Sequence, residues 1–221
     1  MSTLIFFDIN GTIIKRDSRT DIPYGKAIDL FLNIEDGMEG VDTSARSDKD
    51  VFMEVLDNFG KTFSEDLWNG FLKEYEAQLE AFKATDVWRE NADAIQFIEK
   101  LAKTNIKLSM ITGELGIGAQ YKLEKLGIWK HFPTGGFGED GLKRFEIADA
   151  ALEKAKSIYN VDQFDTLYVI GDTLLDIKTA RHLGAKIISI ATGSNTKEEL
   201  EVESPDYLIE TFSEIESLFI D

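Results

Sequence analysis

Leu4-Ile5-Phe6-Phe7-Asp8-Ile9-Asn10-Gly11-Thr12 is the stretch of sequence that decides the fold. Four consecutive apolar residues are typical of a strand that is buried on both faces of a parallel sheet. The run ends at Asp8, and Gly11 then indicates a tight turn. We therefore expect the Asp8 carboxylate at the carboxyl end of a buried strand, where open α/β sheets bind their ligands.

Three more apolar runs have the same character, and helical patterns separate them. The runs comprise residues 106–111, 167–170 and 187–190, and the helical patterns include residues 92–102 and 145–158. Strands that alternate with helices indicate parallel pairing through helical crossovers. The predicted fold class is α/β, with a Rossmann-like, doubly wound parallel sheet.

Residues 17–86 interrupt this alternation, because they show helical periodicity without a convincing strand. Leu67, Phe71, Tyr75 and Leu79 recur at helical spacing, and a first helix is expected over residues 23–33. We predict a small helical cap domain at 17–86, inserted after the first strand. The catalytic core then comprises residues 1–16 and 87–221.

Composition excludes several kinds of site. The 221 residues contain no cysteine and only two histidines, which excludes disulfides and thiolate chemistry and leaves little scope for histidine metal sites. A net charge of −17 opposes binding to nucleic acid or to an anionic membrane. With no apolar run of membrane-spanning length, we expect a soluble, cytoplasmic protein whose partner is a small molecule.

Polar residues that could carry chemistry follow three of the predicted strands. Thr112 and Gly113 offer a hydroxyl and an open backbone N–H for phosphate oxygens. Asp172 and Asp176 lie about one helical turn apart, and with Asp8 they form a set of oxygen ligands suited to Mg²⁺. By itself, each element could equally be a turn or a helix cap.

The order of these elements resembles the haloacid dehalogenase superfamily. That superfamily has an Asp-x-Asp-Gly-Thr strand end, a Ser or Thr, a Lys or Arg, and an acidic Gly-Asp-x-x-x-Asp turn. The resemblance covers almost the whole chain and is strongest to the capped, phosphatase-like subgroup, through residues 110–113, 135–138, 171–177 and 191–193.

The resemblance implies a role for each matching residue. Asp8 would attack phosphorus, and its carboxylate, the Asn10 backbone carbonyl, Asp172 and Asp176 would hold Mg²⁺. Thr112 would bind the transferring phosphoryl group, and a basic residue would offset its charge. Arg144 fits the pattern better than Lys143, although both remain candidates. The implied substrate-binding residues are Gly11, Thr12, Gly113 and, from the cap, Arg46.

Asn10 departs from the family pattern, because related phosphatases and phosphomutases have a carboxylic acid there. An amide cannot act as the general acid or base, and loss of such a group costs about 10² to 10⁴ in rate. Asn10 could be an introduced inactivating change, a natural variant whose acid role lies elsewhere, or a sign of another reaction. Glu114 is a second departure, since the subgroup commonly has Asn there.

These residues leave two classes of function open. We favour a Mg²⁺-dependent phosphatase that acts on a small phosphorylated metabolite, a phosphomonoester, through an aspartyl-phosphate and with reduced turnover. The alternative is a non-catalytic protein that binds or senses a phosphoryl ligand. A phosphomutase ranks lower, because it needs the missing proton donor. The sequence leaves open whether the protein is a monomer or a homodimer.

Overall fold

The fold is built on one parallel sheet. The structure is a computed structural model, and it describes residues 2–17, 19–43, 46–91 and 93–220. Within these ranges the sheet has five strands, namely β1 (Thr3–Phe7), β2 (Lys107–Met110), β3 (Thr166–Gly171), β4 (Lys186–Ile190) and β5 (Tyr207–Ile209). Their spatial order is β2-β1-β3-β4-β5, and every neighbouring pair is parallel.

The predicted α/β class and four of the predicted strands are confirmed. The sequence prediction missed β5, which has only three residues and is too short to give a periodic signal. β1 lies between β2 and β3, so the strand order reverses there. In open α/β sheets this switch point is where a crevice forms beyond the strand ends.

Helices fill the connections between the strands. The described ones are α1 (Ile22–Leu32), α2 (Asp48–Asn58), α3 (Glu65–Phe82), α4 (Ala94–Leu101), α5 (Gly116–Lys125), α6 (Arg144–Tyr159), α7 (Leu174–His182) and α8 (Lys197–Val202). The patterns at 92–102 and 145–158 correspond to α4 and α6, although Ala92 itself lies outside the described residues. None of the described helices has the length and apolar character needed to cross a membrane.

The sheet is buried on both faces. Leu4 and Phe6 pack on one side with apolar residues of α6, α7 and α8. Ile5 and Phe7 point to the other side, where the Phe7 ring contacts Phe97 of α4, Phe132 and Phe212. This alternation follows from the period of two along a strand. It explains why four consecutive residues of β1, Leu4 to Phe7, are all apolar and buried.

Helices α1, α2 and α3 form a layer with an aromatic centre. Phe71 stacks on Phe52 with ring centroids 4.4 Å apart, and Tyr24 packs edge-on against Phe71 at 5.3 Å. These helices belong to the predicted cap, of which Ser18, Ser44 and Ala45 lie outside the described residues. The division of the chain into a core and a cap stays a prediction.

The two ends of this helical segment are held together by backbone hydrogen bonds. Lys15 N donates to Arg89 O at 2.9 Å, and Asn91 N donates to Ile13 O at 2.8 Å. The chain therefore leaves the sheet and returns to it at one place, directly beyond β1.

Candidate active site

The carboxyl ends of β1 and β3 bring two carboxylates to the switch point. Asp8 directly follows β1, and Asp172 directly follows β3. Asp8 N donates to Ile170 O at 2.9 Å, so sheet pairing continues up to Asp8 and fixes its position. Both residues are buried.

Asp176 completes a cluster of three buried carboxylates. One carboxylate oxygen each from Asp8, Asp172 and Asp176 lie within 4.8 Å of one another. Asp176 also caps α7, because its Oδ2 accepts from Thr173 N at 3.1 Å and Thr173 Oγ1 at 2.6 Å. These two hydrogen bonds at the start of α7 hold Asp176 in place and leave its Oδ1 free to contact Arg144.

Arg144 is the cation that joins this cluster. Its Nη2 lies 2.8 Å from Asp8 Oδ1 and 2.6 Å from Asp176 Oδ1. The adjacent Lys143 has an exposed side chain and enters no such contact. Its backbone N–H instead donates to Glu146 Oε2 at 3.1 Å, at the start of α6. The structure thus brings Arg144, and not Lys143, to Asp8.

The cluster carries more negative charge than its arginine can offset. Burial raises the pKa of Asp8 to about 7, although the nearby Arg144 guanidinium opposes that rise. Burial likewise raises the pKa of Asp172 to about 6, with the Asp176 carboxylate adding to the effect. Three clustered carboxylates against one guanidinium suit a bound divalent cation, since Mg²⁺ prefers oxygen ligands of this kind.

The Asp172 carboxylate accepts hydrogen bonds from the turn after β1 and from the loop after β4. Ser194 N donates to Asp172 Oδ2 at 2.6 Å, and Thr12 Oγ1 donates to Oδ1 at 3.2 Å. A side chain at Gly11, where φ is +99°, or at Gly193 would collide with the carboxylate. Gly11 and Thr12, predicted to bind substrate, therefore lie against Asp172 and support it.

Asn91 is a supporting residue that the sequence analysis missed. Its side chain is buried, and Nδ2 donates to Gly11 O at 2.9 Å and to Thr12 O at 3.0 Å. Asn91 lies 80 residues beyond Gly11 in the chain, so no local pattern links the two. The position of Asn91, a polar residue where the chain returns to the sheet, was the one feature of the sequence that could have indicated a supporting role.

Thr112 and Gly113 line the same pocket as Asp8. Thr112 is buried, and its Oγ1 accepts from Glu114 N at 3.2 Å. Gly113 O accepts from Asp48 N at 2.8 Å, and a side chain at Gly113 would collide with the Arg46 carbonyl. The loop before α2 thus rests directly on the loop after β2, and only glycine permits this approach.

The Asn10 side chain lies between two buried charges. Its Nδ2 donates to Glu114 Oε2 at 3.1 Å, and its Oδ1 accepts from Lys122 Nζ at 3.1 Å. Glu114 and Lys122 form an ion pair at 2.7 Å, and their side chains are only 4% and 3% exposed. Burial raises the pKa of Glu114, and the adjacent Lys122 opposes that rise. The amide donor thus meets an acceptor, and the amide acceptor meets a donor.

Two further arginines reach the outer part of the pocket. Arg46, predicted to bind substrate, forms ion pairs with Asp50 at 2.7 Å and with Glu54. Arg16 is half-buried, and its Nη2 donates to Thr43 Oγ1 at 3.2 Å. Arg16 was not among the predicted site residues, because nothing in the sequence distinguished it from a solvated cation.

Comparison with known proteins assigns the chain to a family. The sequence model of one protein family, the haloacid dehalogenase-like hydrolases, matches residues 5–181. This range includes all the site residues described above except those of the loop after β4. The chain belongs to the haloacid dehalogenase-like hydrolase family. The expected membership is confirmed, and with it the assignment to a family of hydrolytic enzymes.

Two similar proteins each cover almost the whole chain. A protein of Caldanaerobacter subterraneus named "Putative pyrophosphatase PpaX" is 27% identical over 210 residues, which cover 94% of this chain and 90% of the relative. The crystal structure of a hydrolase from Pseudomonas syringae matches with a TM-score of 0.69 and 18% identity, covering 98% of this chain and 97% of that one.

A further solved structure is similar over almost the whole chain. The "putative HAD-hydrolase YfnB" of Bacillus subtilis, described as bound to magnesium, matches with a TM-score of 0.61 and 18% identity. It covers 99% of this chain and 98% of its own. Likeness at this level of identity establishes the shared fold.

Proposed function

We propose that the protein is a Mg²⁺-dependent phosphatase in which Asp8 is the nucleophile. The single observation that carries this proposal is the contact of Arg144 with both Asp8 and Asp176 beside the buried Asp172. The substrate is a small phosphorylated metabolite in the cytoplasm, and no nucleic acid or membrane takes part. This proposal agrees with family membership, and the acidic surface of the chain supports it.

The residues fit a magnesium ion. Asp8, Asp172 and Asp176 together with the Asn10 backbone carbonyl would hold it, because they supply oxygen donors around a surplus of negative charge. When bound, Mg²⁺ would offset the charge of phosphoryl oxygens and so make room for an anionic substrate beside the carboxylates.

The side chains have distinct roles in this reaction. Arg144 holds Asp8 Oδ1 and thereby fixes the orientation of the attacking carboxylate. The Thr112 hydroxyl and the Gly113 N–H bind oxygens of the phosphoryl group, which passes to Asp8 as an aspartyl-phosphate. Water then releases phosphate from Asp8. Lys143 takes no part, because its side chain is exposed.

The Asn10 side chain cannot move a proton in this reaction. An amide neither gains nor loses a proton near neutral pH. Both polar atoms of the Asn10 side chain are already hydrogen-bonded, to Glu114 and to Lys122. Without a positioned acid, substrates with poor leaving groups should react about 10² to 10⁴ more slowly. We infer attenuated turnover of simple alkyl phosphomonoesters and little phosphomutase activity.

Residues 17–86 would serve as the cap of this enzyme. The first residue of α2 contacts the loop proposed to bind phosphate, through Asp48 N and Gly113 O, so the start of α2 lies where a substrate's leaving group would extend. Arg46 would contact that group once its bonds to Asp50 and Glu54 are exchanged for bonds to substrate.

The second candidate is a phosphoryl-ligand-binding protein without turnover, which the occupied Asn10 amide favours. A hydrolysis assay separates the two. We expect Mg²⁺-dependent release of p-nitrophenol from p-nitrophenyl phosphate, a substrate whose leaving group needs little protonation. The chelator EDTA should abolish it, and so should Asp8→Asn. Tight phosphate binding without any release would support the binding protein instead.

The control for this assay is Asp149→Asn. Asp149 is an exposed carboxylate that contacts His182 at 2.8 Å on the outside of α6. Its removal should leave hydrolysis unchanged. A burst of p-nitrophenol that stops after about one equivalent would indicate that the aspartyl-phosphate forms and then stalls.

A further inference from the structure

One cation in the pocket has no part in the reaction described so far. Arg16 lines the pocket that contains Asp8 and Asn10, and within the described part of the chain its one hydrogen bond goes to the neutral Thr43 hydroxyl. Among the described residues, no carboxylate forms an ion pair with it, whereas Arg46 and Arg144 are both paired. Arg16 can therefore offer most of its guanidinium donors to a ligand.

Arg16 is a positive charge in a pocket that is also lined by Asp8, Asp48 and Asp176. In a protein with a net charge of −17, a half-buried arginine that lines the pocket and has no ion-pair partner among the described residues provides a local positive charge. Such a group attracts an anion rather than a neutral alcohol.

Asn10 gives an independent reason to expect an anionic leaving group. Since the amide is bonded to Glu114 and Lys122, it has no proton to give to a departing oxygen. A leaving group that is stable as an anion needs no such proton. It needs a positive charge nearby, and Arg16 provides one.

We propose that Arg16 binds a charged leaving group, and that the site therefore selects phosphoric anhydrides, such as inorganic pyrophosphate, over alkyl phosphate monoesters. This inference rests on the proposed function, with Asp8 as the nucleophile. It names the substrate class of the same site and adds Arg16 as the residue that determines specificity.

The chemistry balances without a proton donor. A bond forms between an Asp8 carboxylate oxygen and phosphorus, and the bridging P–O bond breaks. The electron pair of that bond leaves on orthophosphate, whose charge faces Arg16. Water then attacks the aspartyl-phosphate, the bond between phosphorus and the Asp8 oxygen breaks, and both protons of the water remain on the second orthophosphate.

Three substrates separate the charge of the leaving group from its ease of departure. In magnesium pyrophosphate the leaving group already carries charge within the substrate. In p-nitrophenyl phosphate it is neutral within the substrate but departs readily. In glycerol 2-phosphate it is neutral and departs with difficulty. We expect kcat/KM to decrease in that order. If glycerol 2-phosphate reacts as fast as pyrophosphate, the inference is wrong.

Arg16→Gln provides the sharper test. The ratio of kcat/KM for pyrophosphate to that for p-nitrophenyl phosphate should fall about 10- to 100-fold, the loss expected from one charge-assisted contact. Arg16→Lys should recover part of the ratio, because lysine keeps the positive charge. The recovery should be incomplete, because lysine lacks the paired donors of the planar guanidinium group. An unchanged ratio in Arg16→Gln overturns the proposal.

Arg19→Gln is the matched control. Arg19 lies three positions further along the same segment and is bonded to Asp17 outside the pocket, where Arg89 also contacts Asp17. Both rates should be unchanged in this variant. An equal drop in the ratio for Arg19→Gln would show a general effect of charge and would contradict a specific role for Arg16.

A binding measurement makes the test independent of turnover. Methylenediphosphonate, a pyrophosphate analogue that cannot be hydrolysed, should lose much more affinity than inorganic phosphate when Arg16 becomes Gln, as measured by calorimetry. Equal losses would refute the inference even if no substrate were turned over. Conversely, hydrolysis of p-nitrophenyl phosphate that depends on Asp8 but shows no Arg16 effect would leave the proposed function intact and remove only the specificity claim.

Discussion

Two buried clusters lie on either side of the turn after β1, and they handle charge differently. The first joins Asp8, Asp172 and Asp176 to Arg144, with three carboxylates against one cation. The second joins Glu114 to Lys122 around the Asn10 amide, with one charge of each sign.

The difference in net charge suggests different roles for the two clusters: the first suits metal and substrate binding, and the second suits structural support. A cluster with surplus negative charge gains from binding a metal ion, and its carboxylates remain available to a substrate. A balanced pair has its attractive contacts already made inside the protein. Asn10 belongs to the second cluster through its side chain, although its position in the chain is that of the first.

The largest effect is expected where the unbalanced cluster loses Asp8, the proposed nucleophile. Asp8→Asn keeps the shape of the side chain but removes the attacking oxygen anion, so turnover should fall on the order of 10⁴-fold or more. Steady-state hydrolysis of p-nitrophenyl phosphate measures this loss. A fall of only a few-fold would mean that another group attacks phosphorus.

Breaking the balanced cluster should mainly affect folding. Lys122→Met leaves the buried Glu114 without its counterion, and such a change typically destabilises a protein by about 3–5 kcal/mol. Urea unfolding measures the free energy. Arg181→Met is the control, because its partner Glu203 forms an exposed pair worth less than about 1 kcal/mol. Equal losses in the two variants would show that the buried pair has no special weight.

Magnesium should stabilise the unbalanced cluster alone. At a concentration about 100 times its Kd, a ligand that binds only the folded state adds about 2.7 kcal/mol to stability. Thermal unfolding should show a rise in Tm with added Mg²⁺, and Asp172→Asn should remove that rise. The same rise in the Asp172 variant would place the metal elsewhere.

The smallest expected effect concerns the residue that separates the clusters. Asn10→Asp sets a second carboxylate where Glu114 now accepts a hydrogen bond at 3.1 Å, which should cost about 1–3 kcal/mol of stability. Asn10→Asp combined with Glu114→Gln restores one carboxylate beside Lys122. We expect the double variant, more than the single one, to gain hydrolysis of glycerol 2-phosphate. No gain in either variant would contradict the general-acid argument.

The two clusters also differ in how far the sequence predicts them. Every carboxylate of the first directly follows a strand or begins a helix, so local patterns were sufficient to find Asp8, Asp172 and Asp176. The choice between Lys143 and Arg144 needed coordinates, because the start of α6 determines which side chain turns inwards.

The second cluster depends on contacts between distant parts of the chain. Lys122 meets Asn10 across 112 positions, and it lies on α5 among residues that look like an ordinary amphipathic helix. The weak signal was the spacing of Glu114, Gly118 and Lys122, four residues apart, with Glu114 just before α5 and the other two on one face of it. A side chain at Gly118 would collide with both Glu114 and Tyr75. Only packing reveals that this face is buried against the turn.

The backbone pairing of Lys15 with Arg89 and of Ile13 with Asn91 bears on how such proteins diversify. Because both ends of the helical segment are fastened at one point, its length has little influence on the entropy of closing it, which grows by only about 0.6 kcal/mol for each doubling. Evolution can therefore exchange the helices for another segment that joins the chain at the same two points, and Asp8 need not move. The turn that contains Asp8 and the helical segment that follows it can then change independently.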